Sequence, residues 1–278
     1  MEKIDIRAVF KSKNSKAYRF IPGFVFRYLH RILHIDFINY FLEKHGEKTG
    51  LPFLDAVIEE FNIKLEVRGI ENLPDTGRFV FAGNHPLGGF DGIIMIALIR
   101  RKYGCVKSIS NDILMNITNI NEFFIPINKH GSQKAETATQ LNRLFRSDCQ
   151  ILTFPSGLVS RRTHGTIRDT EWKKSFISKS RQYARDIVPF HVSGRCSGFF
   201  YRLANLRKFL KIKTNLEMFF LPDETIKHRN EHIIITFGKP IPCSTFDKRH
   251  TDAEWAGLLQ DFVYKLPSGN EMSFSIVH

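Results

Sequence analysis

Apolar residues along this chain fall into short runs separated by amphipathic stretches. Runs at 79–82, 106–109, 123–127, 150–154, 187–192, 216–221 and 233–237 are rich in Val, Ile, Leu and Phe, as buried strands are. A further strand is read at 64–68, ahead of the polar turn ENLPDTGR. Between several of these runs, segments 93–102, 132–146 and 171–185 read as helices, and another is expected over 55–61. The alternation predicts an α/β fold, with a mixed, largely parallel central sheet of about seven strands flanked by helices. After Ser244 one helix, 252–264, and a short polar end complete the chain. The expected organisation is 1–55 as an N-terminal basic amphipathic helical segment, 56–245 as the α/β domain, and 246–278 as a C-terminal helix and tail packed on it.

In the N-terminal segment, Phe20, Ile21, Phe24, Val25, Tyr28, Leu29, Ile32 and Leu33 recur at roughly helical spacing, with Arg19, Arg27, His30 and Arg31 between them. Pro22 and Gly23 bend or start that helix. Over 1–55 the Lys and Arg residues outweigh the Asp and Glu residues. A basic, aromatic-rich helix of this kind lies in a bilayer interface with its cations on anionic headgroups, or packs its stripe on the domain's own core. The pattern fits both.

Composition narrows the partners. With 26 Phe against 7 Tyr and 2 Trp, the chain either has an aromatic core or presents aromatic rings to lipid. The net charge of +13 calls for an anionic partner. Nucleic acid is not expected, because no zinc-finger spacing, RNP-like motif or long basic helix is present and the cations fall in separate segments. Cys105, Cys149, Cys196 and Cys243 lack ligand spacing and read as reduced cysteines of a cytosolic protein, so no metal is expected. No signal-peptide run opens the sequence and no stretch of about 18 apolar residues occurs, so neither export nor a membrane-crossing helix is expected.

The candidate chemistry is concentrated in FVFAGNHPLGGFDG, residues 79–92. Its apolar front reads as the end of a strand and the run after Asp91 as a helix, which sets His85 in a strand-to-helix turn at the carboxyl edge of a sheet. Gly83, Gly88 and Gly89 would allow positive φ and a close approach of substrate there. Imidazole takes a proton near neutral pH, and the Asp91 carboxylate is positioned to bind its second nitrogen. The same residues also read as a turn histidine followed by an ordinary helix N-cap, and the spacing alone leaves both readings open.

NHPLGGFDG resembles the first motif of the lysophospholipid (glycerolipid) acyltransferase superfamily, in which the His is a general base paired with the Asp. The usual form has four residues between the two, whereas five intervene here. EFFIPINKHG, 122–131, is similar to the second block, with Asn128 where an arginine usually contacts phosphate and Lys129 beside it. TFPSGLVSRR, 153–162, is similar to the third: Phe154, Pro155, Gly157 and Ser160 match, while Ser156, Leu158 and Val159 replace its Glu, Thr and Arg. IVPFHVSGR, 187–195, is similar to the fourth, whose proline, here Pro189, shapes an acyl-binding wall. ITFGKPIP, 235–242, resembles the closing strand and turn.

The resemblance implies a lipid O-acyltransferase. His85 and Asp91 would be catalytic, with Asn84, Gly88, Gly89, Asn128, Lys129, Phe154, Pro155, Ser156, Gly157, Arg161, Arg162 and Pro189 binding substrate. Amides around Gly157 would stabilise the oxyanion. No metal or cofactor is implied beyond acyl-ACP or acyl-CoA as co-substrate. With two phosphate-organising arginines replaced, a lysophosphatidate-type acceptor and an N-acyl amino-acid lipid are both candidates, and Arg161, Arg162, His164 and Arg168 either substitute or form a solvated basic loop. The basic segments 161–185 and 195–213 fit an acidic carrier protein, coenzyme A or an anionic membrane, or simply a solvated face. The expected location is cytoplasmic, peripheral on the inner face of the membrane. Two rival readings stand beside this one: a serine hydrolase using Ser156, and a non-catalytic membrane- or lipid-binding protein on the same fold.

Overall fold

The apolar runs pair into one seven-stranded sheet in a computed structural model that describes residues 3–8, 21–110, 117–126, 134–269 and 273–275. In chain order, α1 (Gly23–Ile32), α2 (Ile35–His45) and α3 (Leu51–Glu60) precede β1 (Lys64–Arg68) and β2 (Phe79–Gly83). Then come α4 (Gly89–Tyr103), β3 (Val106–Ser110), β4 (Phe124–Pro126), α5 (Lys134–Arg146), β5 (Gln150–Thr153) and the hairpin β6 (Arg161–Thr163) and β7 (Thr166–Arg168). The chain continues through α6 (Ser175–Gln182), β8 (Asp186–Val192), α7 (Gly198–Phe209), α8 (Leu221–Lys227), β9 (His232–Phe237) and α9 (Asp252–Lys265).

The sheet order is β1-β9-β8-β2-β5-β3-β4, parallel except where β8 meets β9. All five residues of β2 are buried, because helices cover both faces of a strand that has parallel neighbours on both sides. Phe79 and Phe81 join the core under α3 and α4, with Phe53, Leu54, Phe90 and Ile94. Val80 and Ala82 join the opposite core with Trp172, Phe176, Trp255 and Phe262. The unusual phenylalanine content is thus spent largely on the interior. After β2 the chain crosses to one side of the β2/β5 pair, and after β5 it crosses to the other. The carboxyl ends of these two strands therefore flank a crevice at a topological switch point.

Several expectations require correction. Residues 216–221 are not a strand: Leu216–Phe220 is a 3-10 turn leading into α8, with Pro222 in its first turn. Glu217 is the reason, since its fully buried carboxylate must reach Arg161 and Arg207. Helix 55–61 begins earlier, at Leu51, and its buried Phe53, Leu54, Ala56 and Val57 belong to the main core, across the boundary drawn at 55. The N-terminal stripe holds in part: Ile21, Leu29 and Leu33, on and beside α1, pack against a small buried cluster, while Phe20 lies outside the described residues. Phe26 is buried with Ile6 and Ile35, while Phe24 and Tyr28 are exposed. Cys105 and Cys149 are disulfide-bonded, because they precede the adjacent strands β3 and β5; Cys196 and Cys243 are free thiols. No helix among the described residues is long and apolar enough to cross a membrane.

Candidate active site

The turn after β2 is built by pairing its backbone to everything around it. Gly83 lies so close to Phe190 of β8 that an added Cβ would stand 2.5 Å from the Phe190 carbonyl oxygen, which excludes any larger residue there. Asn84 is buried; its Nδ2 donates to Val192 O (2.9 Å) and its Oδ1 accepts from Val192 N (2.7 Å). Asn84 is therefore a brace between β2 and β8.

His85 Nδ1 donates to Asp91 Oδ2 at 2.8 Å, and the same oxygen accepts from Leu87 N at 2.9 Å. This fixes the tautomer and leaves Nε2 as the acceptor. Asp91 is fully buried in the first turn of α4, whose N-cap is Gly88; Asp91 is thus not the N-cap. Its burial raises the carboxyl pKa above the ordinary value, against the opposing hydrogen bonds from His85 and Leu87. The imidazole keeps 19% of its side-chain surface exposed and stacks on Phe154 at 4.3 Å between ring centroids.

The additional residue between His85 and Asp91 is absorbed at Gly88, which has φ +74° and ψ −129°. Gly89 has no positive φ and nothing within 4 Å of an added Cβ. A Cβ at position 88 would also stand 3.2 Å from Leu221 Cδ2. Gly88→Ala is therefore expected to cost about 1–3 kcal/mol of stability and Gly89→Ala close to none. Urea unfolding checks the difference, and equal midpoints would mean the turn relaxes freely.

Asp169 is the residue that sequence reasoning missed. Buried under the turn, its Oδ1 accepts from His85 N (3.1 Å) and from Ser160 Oγ (2.6 Å), and its Oδ2 accepts from Trp172 Nε1 (3.1 Å). Ser160 N in turn donates to His85 O at 2.8 Å. The backbone of the histidine is thus clamped on both sides, by Ser160 just before β6 and by Asp169 just after β7. Nothing in the sequence separates Asp169 from other acids beside cations, because its partner lies 84 residues away.

The remaining predicted site residues divide. Phe154, Pro155 and Gly157 line, with His85, a cavity of about 200 Å³ whose other walls include Val80, Ile109, Phe145 and Phe176, with Lys173 and Lys179 also at its lining. Gly157 N donates to Phe154 O (2.9 Å), so that amide is not available as an oxyanion donor. Ser156 Oγ donates to Leu158 O (2.7 Å) rather than to the imidazole. Arg161 is committed to Glu217 (2.8 Å), and burial lowers its pKa. Arg162 lies over the Tyr201 ring, and Arg168 over Tyr264 while paired with Asp261. Pro189 lies within β8 against Gly238, outside the cavity lining, because β8 continues past it on the face toward α9. Asn128 and Lys129 lie outside the described residues.

A buried acid holding one nitrogen of a mostly buried imidazole, with a largely apolar cavity before it, has the geometry of a general base facing a space for an apolar group. The acyltransferase family model matches residues 8–266. The chain belongs to the acyltransferase family. This acyltransferase is 48% identical to the lyso-glycine lipid O-acyltransferase of Bacteroides thetaiotaomicron over 264 residues, 95% of this chain and 97% of that one. It is 47% identical to the protein of the same name from Phocaeicola vulgatus, covering 95% of each chain. A solved structure, the 1-acyl-sn-glycerophosphate (LPA) acyltransferase PlsC from Thermotoga maritima, is 12% identical with a TM-score of 0.48, over 86% of this acyltransferase and 95% of that chain. The family assignment does not draw on that last likeness.

Proposed function

We propose that the protein transfers a fatty acyl group from a thioester, acyl-ACP or acyl-CoA, to the hydroxyl of an N-acylated glycine lipid at a membrane surface. The observation that carries the reading is the His85–Asp91 pair at 2.8 Å opening on the cavity. His85 Nε2 takes the acceptor's hydroxyl proton as its oxygen attacks the thioester carbonyl. The tetrahedral intermediate collapses with cleavage of the C–S bond, and the imidazolium returns the proton to the departing thiolate. Asp91 holds Nδ1–H throughout and stabilises the charged ring. The acceptor is its own nucleophile, so no acyl-enzyme forms.

Two observations support a glycine lipid over lysophosphatidate. The two relatives are both named for a lyso-glycine lipid. Near the site, Val159 is buried where the resembled block has an arginine, and Arg161 has spent its fork on Glu217. A phosphate monoester would want such a fork free.

Purified protein is given either donor and each acceptor, a hydroxyl-bearing N-acylglycine or lysophosphatidate. The glycine lipid is expected to be esterified with kcat/KM higher by roughly 100-fold. The reverse preference would refute the acceptor, and absence of ester with both would refute the transferase reading for lipids. Ser156→Ala is expected to retain activity within about twofold, since its hydroxyl only closes a turn. Loss of activity beyond about 100-fold would favour a serine nucleophile instead.

A further inference from the structure

Thirteen large apolar side chains are exposed among the described residues, and seven of them fall between positions 199 and 219. Phe209 is the extreme, 81% exposed, followed there by Phe219 at 56%, Leu210 at 55% and Leu206 at 54%. They lie on α7 and the turn after it, and this unit is not a loose arm. Phe200 and Tyr201 on its inner side are buried against Cys196 and Val159. Glu217, fully buried, ties Arg207 of α7 to Arg161 of the hairpin beside the site. The rings are thus held outward by a rigid base.

The charge around them has one sign. Arg195, Arg202, Lys208, Lys211 and Lys213 occur with no acid between 195 and 213, while Arg207 is paired with Glu217. A two-fold contact between copies would set these cations against each other, which argues against self-association. Exposed rings and aliphatic side chains interleaved with uncompensated cations match the boundary of an anionic bilayer, where the rings enter the acyl region and the cations meet headgroups.

We infer that α7 and the turn that follows it form a surface that docks the protein on anionic membranes. This deepens the proposed function, since it rests on a lipid acceptor embedded in that membrane. The position suits the task. Leu221, two residues past Phe219, packs against Gly88 in the catalytic turn, so the docked surface adjoins the turn that carries His85.

The test uses the full chain with vesicles of phosphatidylcholine alone or mixed with phosphatidylglycerol, read by sedimentation. Wild type is expected to partition onto the anionic vesicles at least tenfold more strongly than onto the neutral ones. Phe209→Ser with Phe219→Ser is expected to weaken partition about tenfold or more. Lys208→Glu with Lys211→Glu is expected to weaken it by at least the same factor, at roughly fivefold per removed cation. Phe24→Ser with Tyr28→Ser on α1 is expected to lose less than either. Both α7 variants keep kcat/KM within about twofold on detergent-dispersed acceptor, because no altered residue touches the catalytic turn. Phe209→Ser alone, at the most exposed position, serves if a double variant does not fold. Unchanged partition in the folded variants would overturn the proposal. So would a loss confined to the α1 variant, or a raised KM for acyl-carrier donor with partition intact, which would mark an acidic carrier protein as the occupant. Normal vesicle behaviour without ester formation would instead refute the proposed acceptor and leave the docking surface standing.

Discussion

His85→Ala is expected to lower acyl transfer by about 10²- to 10⁴-fold, the contribution a positioned general base would make, with the protein still folded. The two halves of this expectation come from different atoms. Activity falls because no other side chain is hydrogen-bonded into the place of the imidazole: Ser156 Oγ serves Leu158 O and Ser160 Oγ serves Asp169. The fold survives because the turn is held by backbone atoms. His85 N donates to Asp169, His85 O accepts from Ser160 N, and alanine keeps both. Asp91 loses one donor but keeps Leu87 N.

Asp91→Asn separates positioning from proton transfer. An amide oxygen can stand where Oδ2 now accepts from both His85 Nδ1 and Leu87 N, with its NH₂ where Oδ1 has no partner among the described residues, but the amide brings no negative charge to the ring. The ring stays held while its charged form loses the carboxylate's support, and kcat is expected to fall by about 100-fold or more, with little change in KM. Steady-state assays with circular-dichroism melts check both variants. Undiminished turnover by folded His85→Ala would remove the mechanism.

Arg185→Leu is expected to have the largest effect on stability, about 3–5 kcal/mol. Its guanidinium is fully buried and forms no ion pair among the described residues. Instead it donates to carbonyls: Nε to Phe145 O at 2.9 Å, Nη1 to Cys149 O at 2.9 Å, and Nη2 to Ser147 O and Leu144 O. These are the last carbonyls of α5 and of the turn entering β5, groups that helix geometry leaves without intrahelical donors. The negative end of the helix also favours a cation there. Burial lowers the pKa of Arg185 to about 10, so it remains charged at neutral pH.

Leucine would fill the volume and strand several carbonyls away from water. Lysine would recover only part of the loss, since an ammonium cannot span the fan of acceptors that a planar fork reaches. Urea unfolding at neutral pH measures the cost. A loss below about 1 kcal/mol in Arg185→Leu would mean that water enters and satisfies the carbonyls.

The order of elements was readable because burial leaves a local periodic trace. Strand β2, covered on both faces, is apolar throughout, and α9 opens on a capping box, Thr251 with Glu254, that marks its start. The candidate base was readable for the same reason: a strand, a glycine-rich turn and a helix are consecutive. Residues 216–221 failed because a six-residue stretch with five apolar residues fits a strand or a turn of helix equally, and the deciding group, Glu217, answers to Arg161 at a distance of 56 residues. The N-terminal stripe failed at Phe24, Tyr28 and Phe26 for a similar reason, since spacing gives a stripe's period and not which residue its neighbour touches.

By itself, the amino-acid sequence determined the α/β class, the turn that carries His85 and Asp91, and a basic chain without a spanning helix in view, all properties written in residues close together. Only the tertiary structure decided that the imidazole and the carboxylate meet despite the longer spacing, that Asp169 clamps the turn, that Asn84 and Arg161 are spent on the protein itself, and that Cys105 and Cys149 are joined. Each of these depends on which strands become neighbours. That choice is set by the packing of the two cores on either face of the sheet, a summed interaction among distant residues that leaves no mark at any single position.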